Sequence, residues 1–89
     1  MRVTTCVEIN VSEWFEQPGP ELEFASKHAQ LMHPSDMEFM LFLGNQNLES
    51  PAVNDLIKVM KEMGCDKDFV EYFEEAARMG AHRILLHCD

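Results

Sequence analysis

Near the start of this 89-residue chain, Val3, Thr5, Val7, Ile9 and Val11 occupy successive odd positions, separated by Thr4, Cys6, Glu8 and Asn10. A period of two, rich in β-branched residues, is the pattern of a strand with one buried face, here expected over residues 2–11. Such a strand needs a neighbour. A second short, apolar segment of that kind is Arg83-Ile84-Leu85-Leu86-His87, at the far end. The sequence therefore predicts that the two ends pair in a small two-stranded sheet. Two strands alone are marginal in water, so the segments between them must cover one face.

Those segments read as helices. Ser12 caps a short turn carrying Glu13, Trp14, Phe15 and Glu16, which Pro18-Gly19-Pro20 stops. Pro20 suits the first position of a helix running to about Met32, with Leu22, Ala25, Ala29 and Met32 on one stripe and His33-Pro34 as its end. Ser35-Asp36-Met37-Glu38 has the form of a capping box. It opens an expected helix over 35–43, whose Phe39, Met40, Leu41, Phe42 and Leu43 leave no polar side; Gly44 closes it. A helix apolar all round is either central or an oligomer contact. Val53, Leu56, Ile57, Met60 and Met63 hold helical spacing over 51–63, between Ser50-Pro51 and Gly64. Asp66 caps a last helix over 67–79, with Phe69, Phe73, Ala76 and Ala77 inward and Glu71, Glu74, Glu75 and Arg78 outward, up to Gly80. The expected class is α+β: an N-terminal strand, three to four short helices and a C-terminal strand, as a single domain over residues 1–89.

Charge narrows the partners. Up to residue 57 the only bases are Arg2 and Lys27, against Glu8, Glu13, Glu16, Glu21, Glu23, Asp36, Glu38, Glu49 and Asp55; the whole chain carries a formal charge of -9. A field of one sign repels nucleic acid and anionic membrane and attracts basic protein surfaces. With 46% of its residues hydrophobic, the chain has enough apolar side chains for a core, so the acidity does not signal disorder. Cys6, Cys65 and Cys88 show no CxxC spacing and read as reduced thiols, which points to the cytoplasm. The first residues lead into no uninterrupted apolar run, so neither a signal peptide nor a membrane span is expected.

The residues with chemical potential do not assemble into a motif. His28, His33, His82 and His87 lie five apart in pairs, without the local spacing of a zinc site, and neither metal nor cofactor is expected. Cys65 stands next to a helix N-terminus that would favour its thiolate, but Asp66 and Asp68 oppose it. Glu71, Glu74 and Glu75 read as a solvated face, and no glycine-rich phosphate loop exists. The chain is therefore not expected to be an enzyme. A different feature is Trp14-Phe15 between Glu13 and Glu16, with Glu21 and Glu23 close by. Aromatics rimmed by charge have the look of a binding anchor, the structural alternative being that one or both fold back into the core. Glu13, Trp14, Phe15, Glu16, Glu21 and Glu23 are thus the expected partner-binding residues.

The plan of strand, acidic turn with Ser12-Glu13-Trp14-Phe15, helix with Phe24-Ala25, then Asp36-x-x-Phe39-x-x-x-Leu43-Gly44 resembles small acidic accessory proteins encoded by bacteriophages. Among these are inhibitors of host defence of the anti-CRISPR kind. The resemblance implies a non-enzymatic binder that blocks a host machine in the host cytoplasm. Together with the charge, it sets the expected function: an inhibitor or regulator whose acidic surface blocks a basic, nucleic-acid-binding site on a host protein. The alternative is a small structural or regulatory homodimer without mimicry.

Overall fold

The computed structural model describes residues 4–33, 35, 37–44 and 48–88. In chain order the elements are β1 (Cys6–Asn10), α1 (Ser12–Phe15), α2 (Pro20–His28), β2 (Gln30–His33), β3 (Glu38–Phe42), α3 (Pro51–Glu62), α4 (Lys67–Arg78) and β4 (Arg83–His87). The class is α+β, and the two ends do pair, since β1 runs parallel to β4 with Ile9 opposite Leu86. The sheet, however, has four strands in the order β1-β4-β3-β2, not two. The last strand of the chain enters the middle of the sheet, where it closes a parallel pair on one side and an antiparallel pair on the other.

Both extra strands come from segments expected to be helical. The run Phe39 to Leu43 is too short for periodicity to separate a buried strand from a helix. Its burial settles the matter: Phe39, Leu41 and Leu43 face the core, whereas Phe42, on the other parity, is 57% exposed. Glu38 begins β3 instead of capping a helix, and Met37 before it takes a left-handed turn conformation (φ 53°). Asp36 of the expected capping box, like Pro34, lies outside the described residues. The helix from Pro20 likewise stops at His28, four residues before Met32. Ala29 is extended (φ -113°, ψ 159°), and Gln30 and Leu31 pair with Met40 and Phe39. The stripe expected to carry the helix onward is not used, since Leu31 and Met32 are both more than 40% exposed. Cross-strand pairing overrode local propensity there.

The remaining helices follow their sequence signals. α3 buries Val53, Ile57 and Met60, and α4 buries Phe69, Val70, Phe73, Ala76 and Ala77. Each ends in a Schellman motif. The Gly64 amide donates to the Lys61 carbonyl and the Cys65 amide to that of Met60; Gly80 and Ala81 repeat the pattern on Ala77 and Ala76. Both glycines sit at positive φ (82° and 79°), where a side chain costs about 1 kcal/mol or more.

The core joins the inward face of the sheet to the helices. Ile9, Phe39, Leu41, Ile84 and Leu86 meet Phe24, Val53, Met60 and Phe73 in one cluster. Phe24, Met60, Ile84, Val11 and Val53 are fully buried, each contributing about 1.5–3 kcal/mol by leaving water. The buried residues of each strand share one parity, so the described helices lie on one face of the sheet and none of them covers the other.

Candidate protein-binding face

The short helix α1 fixes the geometry of the acidic surface. Trp14 and Phe15, expected as partner-binding anchors with burial in the core as the alternative, follow the alternative: they are only 9% and 6% exposed and belong to the core. Phe15 stands edge-on to Phe39 of β3, with ring centroids 5.7 Å apart. Trp14 lies edge-on to Phe69 and Tyr72 of α4, at 5.4 and 5.9 Å. They are buried because β1 delivers α1 directly onto the core, where Phe15 meets β3 and Trp14 meets α4. Glu13 and Glu16 remain exposed on either side of this pair.

Trp14 also organises the start of α4. Its indole N–H donates to Asp66 Oδ2 at 2.8 Å, while Asp66 Oδ1 accepts the Asp68 amide at 3.4 Å as the helix cap. The indole bond first, and the backbone amide second, hold the Asp66 carboxyl below its ordinary range. Glu21 is a third member of this junction. It is 7% exposed, and its Oε2 accepts the Asp66 amide at 2.9 Å, tying the first turn of α2 to α4. Glu21 is thus a structural carboxylate rather than a surface one. Glu23 is exposed and pairs with Lys27 at 2.9 Å along the same helix, which offsets part of its charge. Of the carboxylates expected to form the binding site, Glu13 and Glu16 keep open, unneutralised positions.

The acidic surface continues on α4. Asp68, Glu71, Tyr72 and Glu75 stand at i, i+3, i+4 and i+7, and line a shallow concavity of about 320 Å³. Tyr72 is 55% exposed at its centre, braced from behind by Trp14. Glu75 is bridged to Arg78, an exposed pair of small energetic weight. Sequence reading missed Tyr72 altogether. The signal was present in Asp68-x-x-Glu71-Tyr72-x-x-Glu75, a helical stripe of acids with one aromatic at its middle.

No family model, curated protein or solved structure matches the chain.

Other chemistry is poorly served. Burial, reinforced by the Glu21 charge, pushes the Cys65 thiol up to about 11, so at neutral pH it is not a thiolate. Cys6 pairs in register with Arg83 and Asn10 with His87, which sets Cys6 and His87 at opposite ends of the β1–β4 ladder, about 13 Å apart along the strand. Among the described residues, no three His, Cys, Asp or Glu side chains are placed to hold a metal ion. Nor is any described helix long and apolar enough to cross a membrane.

Proposed function

We propose that this chain is a non-catalytic protein-binding domain that engages a basic segment of its partner through the exposed face of α1 and α4. The observation that carries this reading is Tyr72: a half-exposed aromatic, fixed from behind by Trp14 and ringed by Asp68, Glu71 and Glu75. An arginine or lysine set over such a ring gains a cation–π contact, and the surrounding carboxylates accept its N–H groups. Because Trp14 braces the ring, little side-chain freedom remains to be lost on binding. Glu13 and Glu16 extend the negative field beside it and steer a basic partner toward the face.

A partner whose basic groove normally holds nucleic acid fits this chemistry, because carboxylates on a helix can occupy the places of phosphates. The domain would then act as an inhibitor or regulator by occlusion, as the likeness to phage-encoded defence inhibitors implies. The test is titration of the chain with an arginine-rich peptide, followed by calorimetry. Affinity is expected to fall steeply with salt, and Tyr72→Ala to weaken binding about five- to thirtyfold, the loss of a contact worth ~1–2 kcal/mol. Equal affinity for Tyr72→Ala would leave a diffuse charge effect and remove the reading.

A further inference from the structure

The open face of the sheet has a composition unlike the rest of the molecule. Its side chains are the parity opposite to the core: Cys6, Glu8 and Asn10 of β1, Arg83, Leu85 and His87 of β4, and Glu38, Met40 and Phe42 of β3. No described helix lies over them. Met40 and Leu85 are cross-strand partners and form a half-buried apolar centre. Phe42, in register with Arg83, projects from the same face and is 57% exposed.

Charge is divided between the two layers. The helices and their caps carry Glu13, Glu16, Glu21, Glu23, Asp55, Glu62, Asp66, Asp68, Glu71, Glu74 and Glu75 against Lys27, Lys58, Lys61, Lys67 and Arg78. Besides Glu38 of β3, which faces His33 of β2 at 3.9 Å, the charged side chains of the open sheet face among the described residues are one acid, Glu8, and one base, Arg83. These stand on adjacent strands two residues apart in register, since Arg83 is opposite Cys6 and Leu85 opposite Glu8. Two copies of a chain of charge -9 repel each other wherever their helical layers meet. Across the sheet faces that repulsion is smallest. A two-fold axis lying between the faces can also set Glu8 of each copy against Arg83 of the other.

From this self-complementary charge pair around an apolar centre, we propose that the open sheet face is a homodimer interface, two copies packing sheet to sheet. It goes beyond the binding reading of the helical layer and does not depend on it. The covered apolar helix expected from sequence as an oligomer contact does not exist, but Met40 and Phe42 of the same segment supply the contact from β3. The area is small. Four strands about 4.8 Å apart, three of five residues and one of four, present roughly 300 Å² per copy, against the roughly 800 Å² per partner of a standard interface. The association is therefore weak and reversible. Packed in this way, the two helical layers face outward, and the dimer offers two acidic faces to a repetitive basic partner.

Sedimentation equilibrium of the full chain, under reducing conditions so that no disulfide joins the copies, tests the proposal. From about 10 μM to about 500 μM the average mass should rise from monomer toward dimer, as befits an interface of this size. Raising salt from about 0.05 M to about 0.5 M should strengthen the dimer by screening the net repulsion. Basic-partner binding by the helical layer should respond in the opposite direction, so the two readings fail separately. Phe42→Glu, at an exposed position, should give monomer at every concentration. Arg83→Glu should weaken the dimer, and Glu8→Arg added to it should restore association. A monomer throughout, or a dimer that Phe42→Glu leaves intact, overturns the proposal.

Discussion

Replacing Trp14 with alanine should lower the unfolding free energy by about 3–5 kcal/mol, the range for emptying a large aromatic site in a packed core. That is a large share of the ~5–15 kcal/mol by which a small domain is stable. The ring fills the space between α1 and α4, touching Phe69 and Tyr72, and its N–H holds the helix cap Asp66. Urea denaturation at neutral pH reads the loss; an unchanged midpoint would mean that the ring is not in the core. Trp14→Phe separates the two roles, because it keeps a ring and removes the donor. The Asp66 carboxyl is held low by that donor, so its contribution is present above the ordinary carboxylate range and is lost as pH falls through its folded value. Trp14→Phe should therefore flatten the decline of stability on the acid side. An identical acid limb in both proteins would show that the indole bond does not set the carboxyl's acidity.

The second large effect concerns association. Changing Glu71 and Glu75 together to lysine reverses the charge on both sides of Tyr72 while leaving the buried face of α4 untouched. Association with an arginine-rich peptide at low salt should slow by about tenfold or more, because steering acts mainly on the on-rate. Stopped-flow fluorescence of Trp14, which packs against Tyr72, follows the event directly. Glu21→Gln provides the contrast. It removes a charge from the same end of the molecule, but one that is buried and bound to the Asp66 amide. Its effect should appear in stability and not in association rate. If the double reversal leaves the low-salt association rate unchanged, the acidic stripe plays no part in recognition.

These two results bear on what could be read from the chain. Period and caps sufficed where an element contains its own information: Val7 and Ile9 on one side of β1, which is Cys6–Asn10 where the period predicts a strand over 2–11 (residues 2 and 3 lie outside the described residues), Val53 through Met60 on α3, Asp66 and Gly80 at the ends of α4. They failed where pairing partners decide the outcome. Phe39 to Leu43 is equally apolar as helix or strand, and only its pairing with β2 on one side and with β4, from the far end of the chain, on the other makes it a strand. Leu31 and Met32 looked like the continuation of a helical stripe because nothing local announces the hairpin to β3. The candidate site shows the same limit. Glu13, Trp14, Phe15 and Glu16 drew notice as a cluster in sequence, yet the fold turns its aromatics inward and leaves its acids out. The exposed aromatic on this face is Tyr72, 58 residues after Trp14 in the numbering but in ring contact with it. Charge could be counted in advance; its separation into an acidic helical layer and a nearly neutral sheet face could not.

Amide chemical-shift mapping with an arginine-rich peptide tests the central reading most directly, because it reports the whole surface at once without altering it. The account predicts that the largest shifts fall on Asp68, Glu71, Tyr72 and Glu75, with Glu13 and Glu16 of the neighbouring helix, and that they collapse in high salt. Shifts spread evenly over every acidic segment, including Glu49 and Asp55, or centred on Glu8 and the open sheet face, would contradict it.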